Sequence, residues 1–229
     1  MPVLNNLSGL QKTIESIQKQ TFTNFEVWII DGNSSDETQH YLQKLKPPFQ
    51  FLTEKDSGIY EAMNKGISLA KGEWLFFLGS GDCLHSGTIL DEVSKNFNST
   101  IQLFYGNVCY ENSFFNSKFS SILWLKNALH HQSVFYHKSL FENQKYDTDF
   151  KILGDYDLNL KLFRSKIISK KEEITIAFCN EHGVSKKINW DLYKEELKIK
   201  TQQTSIILFP VFFLFVFLKF VYKNIFYKT

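Results

Sequence analysis

The sequence holds only three cysteines in 229 residues, Cys83, Cys109 and Cys179. They are odd in number, far apart and without the paired Cys or His spacings of a zinc site. A disulfide framework and a zinc module are thereby excluded, and buried free thiols in a reducing compartment are expected. Charge of one sign is also scarce: 26 Lys and Arg against 24 Asp and Glu leave a net charge of +2, far from the basic face that a nucleic-acid backbone demands. No nucleic-acid partner is expected. The opening Met1-Pro2-Val3-Leu4-Asn5-Asn6 lacks the basic and apolar regions of a secretory signal, so a cytoplasmic catalytic part is expected. No Gly-x-Gly-x-x-Gly turn or P-loop follows any strand-like run, which argues against a dehydrogenase or nucleotidyltransferase. There is no internal repeat and no low-complexity linker.

What the chain does have is a regular alternation of strand and helix signals. Leu10, Ile14 and Ile17 share a helical face, and Ser8 with Gln11 has capping-box spacing, predicting a helix over 9–19. Phe25 to Ile30 reads as a buried strand running into the polar turn Asp31-Gly32-Asn33-Ser34-Ser35-Asp36. Ser34 and Glu37 repeat the capping-box spacing, predicting a second helix to about Leu45, before Pro47-Pro48. Phe49 to Thr53 reads as a strand. Ile59, Ala62, Met63, Gly66, Ile67 and Ala70 mark a third helix, with Gly72 as a left-handed C-cap and a strand over 73–78 behind it. Beyond residue 100 the pattern predicts short strands at 102–105, 108–110 and 114–119, then a helix near 155–165.

Short-linked strand-helix alternation calls for a mostly parallel sheet flanked by helices, whose ligands bind at the C-terminal strand edge. Asp31 and Asp82 end strands at that edge, where carboxylates suit a ribose or base hydroxyl and a metal-bridged diphosphate. Capping of turns is the other role open to both. Asp155 and Asp157, in Leu153-Gly154-Asp155-Tyr156-Asp157-Leu158, open a helix; they suit a general base or an N-terminal cap.

Four stretches, taken in order, resemble family 2 glycosyltransferases: Gln20 to Glu26, the turn Asp31 to Asp36, Asp56-Ser57-Gly58-Ile59-Tyr60-Glu61-Ala62-Met63-Asn64-Lys65-Gly66, and Ala70-Lys71-Gly72-Glu73-Trp74. The resemblance spans roughly residues 3 to 190 and is nearest the bacterial branch that builds capsular polysaccharide, exopolysaccharide or lipopolysaccharide. It implies a Rossmann-like GT-A α/β fold, a nucleoside-diphosphate sugar donor, a divalent cation (Mn²⁺ or Mg²⁺), a saccharide or lipid-linked acceptor and inversion at the anomeric carbon. Carried onto this chain, it makes Asp155 the catalytic base, with Asp157 the second candidate. It gives Asp31, Asp56, Asn64, Lys65, Gly81 and Asp82 to the donor. Asp82 is the last carboxylate of the family's Asp-x-Asp metal motif, which reads Ser80-Gly81-Asp82 here. His131, in His130-His131-Gln132-Ser133, becomes a site-lining residue; Lys65 could reach phosphate as a point charge, although a solvated lysine is the commoner outcome on such a helix. The family's first strand is largely missing ahead of Val3. That shortfall keeps open a second reading, an impaired remnant that binds nucleotide sugar or a partner.

The division expected is a transferase domain over 1–204, its nucleotide half about 1–100 and its acceptor half about 101–204, followed by a tail over 205–229. The tail opens on an apolar run of thirteen residues, Ile206 to Leu218, followed by Lys219, Lys223 and Lys228. The run is short for a span, which needs about twenty residues. A helix at the cytoplasmic membrane surface is expected, and a buried C-terminal helix is the alternative.

Overall fold

Helix α1 (Leu7–Gln18) starts earlier than the Ser8 capping box would place it. Asn6 is the N-cap, its side chain accepting from the Gly9 amide at 3.2 Å. The computed structural model describes residues 1–181 and 189–226. Strand β1 (Pro2–Val3) precedes α1, and β2 (Val27–Asp31) and β3 (Phe49–Thr53) follow it, the three pairing in parallel in the order β1-β2-β3.

Between β2 and β3 the expected long helix shrinks to α2 (Thr38–Leu42). Ser34 is not its cap: the Ser34 amide and hydroxyl both turn back onto Asp31. Helix α3 (Ile59–Leu69) ends in an extended Ala70, not in a left-handed Gly72. The Gly72 amide instead donates to Glu26 Oε1 at 3.1 Å. Then come β4 (Trp74–Phe76), β5 (Cys83–Leu84), α4 (Ile89–Ser94), β6 (Leu103–Cys109), β7 (Phe114–Phe115), β8 (Val134–His137), α5 (Gly154–Arg164) and β9 (Ser169–Phe178).

These later strands form a second sheet in the order β4-β8-β6-β9-β5, with β7 on β6. Only β6 and β9 run parallel in it; β8 is antiparallel to both β4 and β6. The fold is α/β and GT-A-like as expected, but the mostly parallel arrangement is confined to β1-β2-β3. The expected strands at 102–105 and 108–110 are one strand. At Gly106 a Cβ would lie 2.5 Å from the Ile174 carbonyl of the neighbouring β9, so β6 passes there without a side chain and continues through a register shift.

Period-two alternation along β6 and β8 sorts their side chains into two cores. Leu103, Tyr105, Val134 and Tyr136 join Tyr60, Met63 and Ile67 of α3 and Tyr156 of α5 on one face. Phe104, Val108 and Phe135 join Leu10, Ile14 and Ile17 of α1 on the other. Two helical layers thereby brace the sheets and hold the loops at their ends.

Helix α6 (Trp190–Gln203) and helix α7 (Phe209–Phe226) close the described chain. Buried Glu196 accepts from Lys219 of α7 at 2.7 Å, and Phe220 packs on Trp190 and Tyr193, so one side of α7 lies along α6. Lys200, buried beneath, donates to the carbonyls of Trp124 and Leu125, and burial brings its ammonium down to about 8. The helical stretch Ile206–Phe226 is 21 residues long with a mean hydropathy of 2.2, apolar and long enough to cross a membrane, and only 6% buried. Helical structure thus runs past the thirteen-residue apolar run that made a span look too short. Lys228 lies outside the described residues.

Candidate active site

Asp31, at the end of β2, is fully buried. Its carboxylate accepts from the Ser34 amide (3.2 Å) and the Ser34 hydroxyl (2.5 Å) in a side-chain turn typical of Asp. Ser34 in turn accepts from the Asn5 amide at 2.8 Å, and the Asn5 side chain accepts from the Ser35 amide at 2.8 Å. The next residue, Asn6, donates to the Ser80 carbonyl at 3.0 Å. The stretch between β1 and α1 therefore bridges the Asp31 turn and the loop after β4.

That loop ends in Asp82. Gly81 has φ +106°, a conformation that L side chains rarely adopt, and its amide donates to the Thr13 hydroxyl of α1 at 2.9 Å. Asp82 is buried; Oδ1 accepts from the Asn180 amide at 2.8 Å and Oδ2 from the Gln132 side-chain amide. Burial raises the Asp82 carboxyl above the ordinary Asp value, opposed by the Asn180 hydrogen bond and the field of His131.

His131 carries the arrangement on to Asp155, its Nδ1 lying 3.4 Å from Asp155 Oδ2. Asn127 donates to the same oxygen at 3.3 Å, and the Tyr60 hydroxyl donates to Oδ1 at 3.4 Å and to the Ile152 carbonyl at 2.8 Å. Burial pushes the Asp155 carboxyl up, but the hydrogen bond and charge of His131, aided by Asn127, outweigh it and hold the group below the ordinary Asp value. Gly154 makes the approach possible, since a Cβ there would sit 2.9 Å from the Tyr60 ring.

Tyr60 belongs to the first turn of α3, and Gly58, before that turn, donates to Asp56 Oδ1 at 3.1 Å. Asp56 lies against Gly32: a Cβ on Gly32 would be 3.2 Å from Asp56 Oδ2. Desolvation raises the Asp56 carboxyl, with Asp31 adding to the rise and Lys65 opposing it. Hydrogen bonds and chain neighbours thus link Asp31, Ser34, Asn5 and Asn6, Ser80 to Asp82, Gln132 and His131, Asp155 and Tyr60, and Asp56, held by the Gly58 amide and lying beside Gly32, completes the ring.

The other residues singled out from the sequence sit differently. Asp157 faces away from the ring, accepting from Gln203 at 2.8 Å and pairing with Lys161 at 2.6 Å. Asn64 spends both ends of its amide on the backbone of Tyr146, at 2.8 and 3.0 Å. Lys65 pairs with Glu54 at 2.8 Å and Glu61 at 3.4 Å, and donates to the Lys55 carbonyl. Ser34, Asn5, Asn6, Gln132 and Tyr60 are ring members that sequence reasoning did not assign, and Asn127 attaches to the ring at Asp155. Ser34, Gln132 and Tyr60 stand inside the quoted stretches; Asn127 carries no sequence signal.

Among the described residues no three His, Cys, Asp or Glu side chains gather to hold a metal ion. The donor nearest to such a role is Asp82, whose oxygens each accept one hydrogen bond and keep a further lone pair.

The family model "Glycosyl transferase family 2" matches residues 1–170. The chain belongs to this family. A PGL/p-HBAD biosynthesis glycosyltransferase of Mycobacterium tuberculosis (strain ATCC 25177 / H37Ra) is 30% identical over 195 residues, covering 80% of this chain and 76% of the relative. Among solved structures, S. aureus TarS 1-349 in complex with UDP-GlcNAc superposes with a TM-score of 0.71 at 16% identity, over 86% of this chain and 63% of that one. A mannosyltransferase from Pyrobaculum calidifontis in complex with GDP-Man and Mn²⁺ gives a TM-score of 0.65 at 15% identity, over 86% of this chain and 61% of that one. At such identities the likeness is one of fold. The chain spans under two-thirds of the length of either solved structure. The family 2 transferase carries its polar ring on the loops at the ends of β2 and β4 and the first turns of α3 and α5.

Proposed function

We propose that this family 2 glycosyltransferase moves a sugar from a nucleoside-diphosphate donor to an acceptor hydroxyl with inversion, in surface-polysaccharide assembly. The ring carries the reading, because its hydrogen bonds and chain neighbours gather the carboxylates of Asp31, Asp56, Asp82 and Asp155 at the ends of β2 and of the loop after β4 and at the starts of α3 and α5. Asp31 and Asp56 would receive the ribose or base, with Gly32 leaving room beside Asp56, and Asn64 and Lys65 shape that end from behind.

Asp155 is the general base. Held ionised by His131, it takes the proton of the acceptor hydroxyl as that oxygen bonds to the anomeric carbon. The bond from that carbon to the diphosphate breaks on the opposite face, and the nucleoside diphosphate departs with the electron pair. Asp82 would hold a divalent cation, Mn²⁺ or Mg²⁺, a hard ion that takes carboxylate oxygen as a ligand. The cation, when bound, supplies positive charge against the departing diphosphate. His131 lines the acceptor side, and Asp157 steadies α5 through Lys161 and Gln203.

The test is a screen of UDP- and GDP-linked sugars with Mn²⁺, following nucleotide release by wild type beside Asp155→Asn. Donor-specific release that depends on Asp155 is the expected result. Tight nucleotide-sugar binding with no release from any donor, with or without saccharide acceptors, would replace this reading with that of a binding module.

The tail supports placement at the cytoplasmic membrane surface. Lys219 and Phe220 tie α7 along α6, while Val211, Leu214, Leu218, Ile225 and Phe226 remain exposed. A helix fastened along one side presents the other, apolar side to lipid while lying flat. Leu214→Glu with Leu218→Glu is expected to release the protein from anionic vesicles in a flotation assay. Unchanged flotation would remove the tail from membrane binding.

A further inference from the structure

Helix α5 begins without a cap of its own, since its N-cap residue, Leu153, offers no side-chain acceptor. Glu195 of α6 holds the approach to it instead. Its Oε1 accepts from the Lys151 amide at 2.7 Å, and its Oε2 from the Ile152 and Leu153 amides at 3.0 and 2.8 Å. One carboxylate thus takes three consecutive N–H groups in charge-assisted hydrogen bonds, at the positive end of the helix that carries Asp155. All three amides precede the first helical residue, Gly154, so Glu195 fixes the entry into α5 more than its winding.

The Ile152 peptide is gripped from both sides. Its N–H goes to Glu195, and its carbonyl receives the Tyr60 hydroxyl at 2.8 Å, the same hydroxyl that reaches Asp155 Oδ1 at 3.4 Å. The contacts of Asp155 are long: 3.3 Å from Asn127, 3.4 Å from Tyr60 and 3.4 Å from His131. Bonds of this length are lost on a small displacement. Helix α6 also ties down the segment that brings Asn127, because Lys200 donates to the Trp124 and Leu125 carbonyls at 2.7 and 2.8 Å. Both segments that meet at Asp155 are therefore held from one helix, one by an anion and the other by a cation.

We propose that Glu195 is a positioning residue for Asp155: by holding residues 151–153 from α6, it sets where that carboxylate stands against His131, Asn127 and Tyr60. Its catalytic consequence rests on the reading of Asp155 as the general base.

Glu195→Ala is expected to lower kcat by roughly 10–10²-fold with donor KM unchanged. Glu195→Gln, which keeps an acceptor oxygen at the same length, is expected to recover most of that loss. Carboxyl-carbon NMR then follows the titration of Asp155, assigned with Asp155→Asn. The two Glu195 variants lose the same charge, so a difference between them reads position. The titratable groups around Asp155, His131 and the Tyr60, Tyr136 and Tyr146 hydroxyls, are the same in both. Asp155 is expected to titrate at higher pH in Glu195→Ala than in Glu195→Gln, because burial persists while the hydrogen bonds that oppose it weaken. Should Glu195→Ala not fold, Glu195→Asp, which keeps the charge and shortens the reach, gives the same comparison against the wild type. Coincident titrations overturn the proposal, as does full turnover in Glu195→Ala when Asp155→Asn is inactive. Turnover retained in Asp155→Asn would sink the base reading instead, and the titration, which needs no turnover, still decides whether Glu195 places Asp155.

Discussion

Asp155→Asn is expected to lower kcat by about 10²–10⁴-fold with little change in donor KM. The proton of the acceptor hydroxyl must go to a group within hydrogen-bond reach, and Asp155 is the ring carboxylate whose ionised form is favoured despite burial. Asn keeps the shape and one oxygen, which can still receive either the Asn127 or the Tyr60 hydrogen bond, the two being made to different carboxylate oxygens, so loss of turnover without loss of folding isolates the proton transfer. Unchanged kcat would assign Asp155 to capping α5.

The same arrangement sets a pH dependence. A base works when deprotonated, and the Asp155 carboxyl is held below the ordinary Asp value. The acid limb of kcat/KM therefore lies below the usual Asp range. In His131→Gln the burial that raises the carboxyl is no longer opposed by the histidine, so the limb moves to higher pH. A profile that stays put in His131→Gln would disconnect His131 from the base. Linkage gives the same direction for stability. A carboxyl depressed in the folded state contributes stability that is fully present above its unfolded pKa and lost as pH falls through the folded value.

The legible parts of this protein were those where local pattern and tertiary role coincide. The face of Leu10, Ile14 and Ile17 became the buried face of α1, and Phe49–Thr53 became β3 with the bounds read from the sequence. Where a residue had two uses, pattern misled. Ser34 has the spacing of a cap, but its hydroxyl is held by Asp31 and the Asn5 amide, a contact 29 residues distant in sequence. The strands read at 102–105 and 108–110 are one, because Gly106 lets β9 approach closely at the register shift between them. At the site, the carboxylates at strand and helix ends could be named in advance, but not which way each would face. Asp155 and Asp157 are two residues apart on one helix, so their side chains diverge, one toward His131 and the other toward Gln203. Asn127 reaches Asp155 only through packing remote from it in sequence.

Asp82→Asn tests the other end of the ring and should lower turnover by about 10²-fold or more, while raising the Mn²⁺ concentration needed for half-maximal activity. Asn and Ala do different damage here. Ala removes the acceptor for both the Asn180 amide and the Gln132 side chain, and each buried donor left unpaired costs about 1–3 kcal/mol, so lost activity would be mixed with lost stability. Asn retains one oxygen and the volume beside Gly79, where the carboxylate lies so close that a Cβ would be 2.6 Å from it. The Mn²⁺ titration then separates charge from shape. If Asp82 anchors the cation, excess Mn²⁺ partly restores turnover in Asp82→Asn, because a weakened site fills at higher ion concentration. If Asp82 only fastens Gln132 and Asn180, the variant loses activity with an unchanged Mn²⁺ midpoint, and Gln132→Ala reproduces the loss. The Mn²⁺ midpoint moves in the first outcome and stays in the second, which makes it the deciding measurement for the single carboxylate that remains of the metal motif.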